Sequence, residues 1–350
     1  MDDPACRPQA PVTARGEDRG PVTLPGMKAE FAIRNFSELI AAVPFLLGYH
    51  PHSAVTVVGM RDQVIDFGAC FDLPPPDLGE AATRAEFGDV AATIHRQAPE
   101  TVVIIGYGPS GLITPAVLRT AEALLALGMH IDDVLRVHEG RWWSYACDKR
   151  DCCPPEGTPC LPPDSVIATE ATYRGEVALP SRADLIALVA PVDGAARQAM
   201  TAATDRARSR FADLVTESVD SKRLRREGRL AVREAEKRYR SGGTLTDDET
   251  AWLGVLLADP KLEDYAVDRA GPQEWRIRLW TEVLRRVEPV HVPAPACLLG
   301  YTAWMLGRGA LARVAVDRAL AAEPGHELSD LLHRVIGFAI SPELVRRLRR

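Results

Sequence analysis

Thr101-Val102-Val103-Ile104-Ile105 runs on from its threonine without a single polar side chain. A strand with one wet face alternates apolar and polar residues, so an unbroken apolar run marks a strand covered on both faces, as in a sheet held between helices. The flanking sequence supplies those layers. Upstream, Glu80 to Gln97 has helical spacing; downstream, a helix is predicted from Thr114, with Pro115 at its first position, to about Gly128. Further out lie two hairpins. Val55-Thr56-Val57-Val58 and Val64-Ile65-Asp66-Phe67 flank the charged Arg61-Asp62-Gln63, and Val134 to His138 and Trp142 to Cys147 flank the turn pair Glu139-Gly140. Ahead of the first hairpin, Asn35 and Glu38 form a helix cap, and Phe36, Leu39, Ile40 and Val43 recur at helical spacing until Pro44, which is expected to stop them.

The order hairpin, helix, strand, helix, hairpin predicts an α/β mixed fold, a mixed sheet of about five strands flanked by helices. Asp151 to Pro163, rich in proline and without periodicity, reads as a loop leading out of it. From Arg182 onward the pattern is helical, with a capping box at Thr246 and Glu249 and a helix opened by Pro272. Leu299, Gly300, Ala303, Gly307, Ala312, Ala319 and Pro324 fall at the spacing of one tetratricopeptide-like helix pair, and no second copy follows. The domain expectation is a disordered tail over 1–27, an α/β mixed-sheet domain over 28–165 and a helical region over 166–350.

Of the 350 residues 46% are apolar and 26% charged, with a net charge of −6, which favours packed domains over disorder and disfavours a general nucleic-acid surface. The charge is uneven: residues 1–165 hold 13 Lys and Arg against 22 Asp and Glu, and the remainder 29 against 26. Pro44, Gly48, His50 and Pro51 interrupt the uncharged run Leu39 to Met60, so no membrane span is expected. The N-terminal stretch lacks the apolar centre of a secretion signal, and seven cysteines then point to a reducing, cytoplasmic setting.

Three stretches carry a family resemblance. They are Ala42-Val43-Pro44-Phe45-Leu46-Leu47-Gly48-Tyr49-His50-Pro51, then Arg141-Trp142-Trp143-Ser144-Tyr145 with Cys152-Cys153-Pro154-Pro155-Glu156-Gly157-Thr158-Pro159, and Ala310 to Ala322. Together they resemble the actinobacterial domain-of-unknown-function 4192 family over roughly residues 30 to 345. The middle stretch is the most specific. The resemblance implies no reaction, ligand or partner.

Candidate chemistry divides among four features. Cys147, Cys152, Cys153 and Cys160 could surround zinc, or two of them could form a redox or labile disulfide, but their spacing lacks paired Cys-x2-Cys turns, and neighbouring Cys152 and Cys153 are not expected to converge on one ion, so structural thiols are the favoured reading. His50-Pro51-His52 could present two imidazoles, with no third ligand nearby. Gly106-Tyr107-Gly108-Pro109-Ser110-Gly111 fits a dinucleotide-binding glycine pattern, yet the helix predicted from Thr114 begins too late to meet a pyrophosphate. Lys222 to Arg240 holds nine basic and three acidic residues, which an amphipathic helix with a solvated face explains without nucleic acid. If a pocket exists, it is expected where the His50 loop, the aromatic strand and the Cys-rich loop meet, built from Tyr49, His50, Arg141, Trp143, Cys153 and Glu156. No complete catalytic constellation can be assembled from the sequence. The expectation is therefore a non-catalytic cytoplasmic binding or scaffold protein, a protein partner favoured and no cofactor, with an enzyme or small-ligand binder as one alternative and nucleic-acid binding through Lys222 to Arg240 as the other.

Overall fold

The structure is a computed structural model that describes residues 33–61, 64–217 and 222–344. The tail predicted over 1–27 lies outside the described residues. The chain divides into two compact units between Arg182 and Ala183.

In the first unit, α1 (Phe36–Leu47) leads into β1 (Ala54–Arg61) and β2 (Val64–Asp72), then α2 (Glu80–Arg96), β3 (Thr101–Tyr107), α3 (Ser110–Ala126), β4 (Ile131–His138), β5 (Arg141–Ser144), β6 (Thr158–Pro159) and α4 (Val166–Tyr173). Among the described residues they form a six-stranded sheet ordered β2-β1-β3-β4-β5-β6. Only the β3/β4 pair is parallel, as α3 crosses between them; the other pairs are antiparallel. Val102 and Ile104 pack with Phe87 and Ile94 of α2 and Ile113 and Val117 of α3, while Val103 and Ile105 pack with Leu39, Ile40 and Val43 of α1 and Ile167 of α4. The apolar run therefore lacks alternation because both faces are covered, each buried Val or Ile contributing about 1.5–3 kcal/mol.

Three local expectations are corrected. Pro44 does not stop α1, which continues to Leu47 and closes on Gly48, whose N–H donates to the Pro44 carbonyl at φ +80°. The proline removes one interior hydrogen bond, and its burial offsets that loss. Likewise α3 starts at Ser110 rather than Thr114, with Pro115 inside its second turn. The sixth strand lies in the stretch read as a loop, because Arg141 pairs with Pro159 and Trp142 with Thr158.

The second unit is helical. It contains α5 (Arg182–Leu188, beginning at the division), α6 (Gly194–Glu217), α7 (Lys222–Arg240), α8 (Asp247–Leu256), α9 (Pro260–Arg269), α10 (Glu274–Arg286), α11 (Pro293–Met305), α12 (Gly309–Ala322) and α13 (Glu327–Gly337). The capping box of Thr246 and Glu249 opens α8, and α10 begins two residues after Pro272, with Gln273 in the N-cap position. Nearly every residue of α11 is buried, as befits a central helix apolar all round. α11 and α12 form the predicted close pair: a Cβ on Gly300 would stand 2.7 Å from Val316 Cγ2. The arginines that end the chain lie outside the described residues.

Candidate functional site

The Glu139-Gly140 turn has both residues at positive φ, +46° and +73°, the geometry of a tight hairpin, and it aims β5 back along β4. The period of two then puts Trp142 and Ser144 on the α1 face and Trp143 on the other. Trp142 donates its Nε1–H to Ser37 Oγ (3.1 Å) and meets Phe36 edge-on at 6.3 Å. Trp143 lies under the guanidinium of its cross-strand neighbour Arg136, 3.7 Å from the ring centre, and donates to the Pro155 carbonyl at 3.0 Å. Gly157, at φ +83°, makes room for this indole: a Cβ there would sit 2.5 Å from Trp143 Cε2. Arg141 holds the same loop by donating to the carbonyls of Gly157 (2.6 Å) and Glu156 (3.3 Å).

Beyond β5 the chain turns on Ser144. Its oxygen accepts the N–H groups of Ala146 and Cys147, both at 3.1 Å, and its hydroxyl donates to the carboxylate of Asp133 on β4. Burial pushes that carboxyl above the usual aspartate range, and the hydrogen bonds from Ser144 and Val134 oppose the shift. The Lys149 carbonyl then accepts from Cys152 (3.2 Å) and Cys153 (2.8 Å), bending the loop so that three sulfurs converge. Cys147 Sγ is 3.1 Å from Cys152 Sγ, Cys152 Sγ is 3.7 Å from Cys153 Sγ, and all three lie within 4.8 Å of one another. Adjacency of Cys152 and Cys153 does not keep their sulfurs apart, contrary to the spacing argument. Cys160 is not in this group; it packs toward the core beneath α1, where burial raises its thiol.

A cleft of about 260 Å³ opens beside these sulfurs, lined by Trp142, Trp143, Cys147, Asp148, Arg150, Cys153 and Thr158. Of the six residues expected to form a pocket, Arg141, Trp143, Cys153 and Glu156 gather at this loop, Arg141 and Glu156 through backbone carbonyl contacts rather than as lining groups. Tyr49 and His50 are placed elsewhere. They follow the C-terminal end of α1, where His50 N–H donates to the Leu179 carbonyl (2.8 Å) and the Tyr49 phenol, raised by burial, faces Cys70. Ser37, beside Trp142, is in the first turn of α1, so the length of that helix, about 18 Å at 1.5 Å per residue, lies between the two groups.

The remaining motifs resolve individually. At the glycine-rich turn a Cβ on Gly106 would stand 2.1 Å from Ile113 Cγ2, so this glycine serves helix-on-strand packing. His52 Nδ1 lies 3.0 Å from the His50 carbonyl. On α7, Lys222, Arg225, Arg226, Arg229 and Arg233 line an open groove, while Arg238 pairs with Glu249 and Arg233 donates to the Tyr265 hydroxyl. Glu236 does not lie on the solvated face of α7 but is buried between Arg269 and Arg276.

A second convergence has no local signal in sequence. Glu263 of α9, Cys297 of α11 and His326 at the start of α13 bring their ligand atoms within 4.8 Å of one another. His326 Nε2 is 3.1 Å from Glu263 Oε2 and Nδ1 is 2.8 Å from Ser329 Oγ; the bond to Glu263 raises the imidazole, and burial pushes the Cys297 thiol up to about 12.

A family model described as Domain of unknown function (DUF4192) matches residues 37–343. No curated protein and no solved structure matches the chain.

Proposed function

This chain belongs to the DUF4192 family, and from that premise we propose that it is a non-catalytic binding protein whose α/β unit holds a small ligand in the cleft beside Trp143. The observation that carries the reading is the convergence, at one sheet edge, of an indole, thiols and the opposite charges of Asp148 and Arg150. Such a mixture of one large apolar wall and a few polar groups suits a small polar molecule. The hydrogen bonds of Arg141, Trp143 and Ser144 set its walls in place beforehand, which lowers the cost of ordering on binding. His50 follows the C-terminal end of α1, whereas Trp142 beside the cleft meets the first turn of that helix, which supports binding over catalysis.

The test is native mass spectrometry of the chain purified from its own host. The reading expects a bound small-molecule mass that denaturation releases and that Arg150→Glu, a change at an exposed position, removes. A bare chain mass in the wild type would remove the reading.

A cytoplasmic setting is supported by Cys70, Cys160 and Cys297, which stand as thiols outside any disulfide. No helix among the described residues is long and apolar enough to cross a membrane. In the helical unit we take α11 and α12 as a tetratricopeptide-like pair, supported by the close approach at Gly300. A protein partner is favoured as a second reading by one observation: Val166 and Tyr173, seven residues apart on α4, and nearby Val177 are 83%, 88% and 69% exposed. Under that reading Tyr173→Glu abolishes co-purification of the partner and leaves any cleft ligand in place.

A further inference from the structure

We propose that Cys147, Cys152 and Cys153 bind one zinc ion as three thiolates, with the fourth coordination position open to the cleft beside Trp143. The proposal deepens the binding reading and rests on it only for what occupies that fourth position.

Zinc–sulfur bonds of about 2.3 Å at tetrahedral angles place sulfurs about 3.8 Å apart. Cys152 Sγ and Cys153 Sγ already stand at 3.7 Å, Cys147 Sγ is 3.1 Å from Cys152 Sγ, and the third separation is within 4.8 Å. Adjustments of up to about one ångström on rotatable side chains bring all three to the spacing an ion requires. Packing does not account for the cluster, because Cys152 is exposed and Cys147 and Cys153 are only half-buried. Three sulfurs grouped in an aqueous loop gain little from the hydrophobic effect, whereas thiolates are ligands that a soft divalent ion selects.

The backbone holds the donors in advance. Ser144 fixes the N–H of Cys147, itself tied through the hydroxyl to Asp133, and the Lys149 carbonyl fixes the N–H groups of Cys152 and Cys153. These bonds do for the loop what supporting hydrogen bonds do around known metal ligands. Three thiolates on a divalent ion leave a net charge of −1, in a loop where Lys149 and Arg150 are flanked by Asp148 and Asp151. Cys160, the fourth thiol in sequence, is turned to the core with its N–H on the Gly140 carbonyl. Three protein ligands with one position left for solvent or ligand is the arrangement of exchangeable rather than purely structural zinc. The ligand class is therefore a small molecule that offers a thiolate, carboxylate or imidazole donor.

The experiment uses the full chain, reduced and stripped with a chelator, then titrated with cobalt(II) and back-titrated with zinc. The proposal expects one equivalent of cobalt, thiolate-to-metal charge transfer in the near ultraviolet, visible bands of a four-coordinate site, and displacement of both by zinc. Cys147→Ser, Cys152→Ser and Cys153→Ser should each abolish these bands, while Cys160→Ser and Cys297→Ser keep them; circular dichroism of each variant separates loss of metal from loss of fold. Absence of bands in folded, reduced wild type, or their persistence in folded Cys153→Ser, overturns the proposal. Imidazole added to the cobalt protein should shift the visible bands. Unshifted bands keep the metal and overturn the open position. A small-molecule mass retained by a chain that takes up no metal overturns the zinc site and leaves the cleft reading standing.

Discussion

The hydroxyl of Ser144 donates to Asp133, 2.8 Å from Oδ1 and 3.0 Å from Oδ2, while the same oxygen accepts the N–H groups of Ala146 and Cys147. One side chain thus ties a partly buried strand carboxylate to the loop that carries the sulfurs. Ser144→Ala leaves that carboxylate short of a donor and two loop N–H groups short of an acceptor. The expected cost is about 1–3 kcal/mol in urea unfolding, with faster amide exchange at Cys147. Unchanged exchange there would mean the loop is held by something else.

Gly106, near the end of β3, and Gly111, in the first turn of α3, flank the glycine-rich turn and separate two explanations of it. A Cβ on Gly106 meets Ile113 Cγ2 at 2.1 Å and Val117 Cγ1 at 2.6 Å, whereas a Cβ on Gly111 meets nothing within 4 Å. Gly106→Ala should therefore cost about 1–3 kcal/mol by overpacking. Gly111→Ala, inside a helix, should be neutral or slightly stabilising. Equal effects at both positions would contradict the packing account.

Glu236 is 1% exposed and accepts from Arg276 Nη1 at 2.5 Å and from Arg269 Nε at 3.0 Å. Removing it strands Arg276, itself 5% exposed, so Glu236→Ala should destabilise by about 3–5 kcal/mol. Chemical denaturation of the variant measures this. A loss below about 1 kcal/mol, as for surface pairs, would contradict the burial.

His326 is raised by its hydrogen bond to Glu263. The folded state therefore holds the proton more tightly than the unfolded one, and the stability this supplies is complete below the ordinary histidine value of about 6.5 and is lost as pH rises through the folded value. Urea midpoints of the wild type should fall as pH rises above about 6.5, and His326→Gln should flatten that dependence. A variant that tracks the wild type across this range would assign the slope to another group.

Much of the architecture was legible because its signals are local. The apolar run at Val102–Ile105, the turn pair at Glu139-Gly140 and the capping box at Thr246 each specify their own conformation within a few residues. Both proline errors have one origin. Pro44 and Pro115 read as boundaries because each lacks an N–H, but a helix whose other contacts are buried tolerates one missing bond. The candidate site was half legible. Arg141, Trp143 and Cys153 share a hairpin and its following loop, so chain proximity brought them together, while grouping them with Tyr49 and His50 required knowing how α1 lies across the sheet. Convergence of Cys152 with Cys153 depends on the Lys149 carbonyl, and that of Glu263, Cys297 and His326 on three separate helices, neither of which spacing alone conveys.

The most direct measurement is zinc K-edge X-ray absorption on the chain purified without chelators from zinc-containing medium. The account predicts three sulfur scatterers at about 2.3 Å and one nitrogen or oxygen at about 2.0–2.2 Å. Protein devoid of zinc, or a first shell without sulfur, would contradict it.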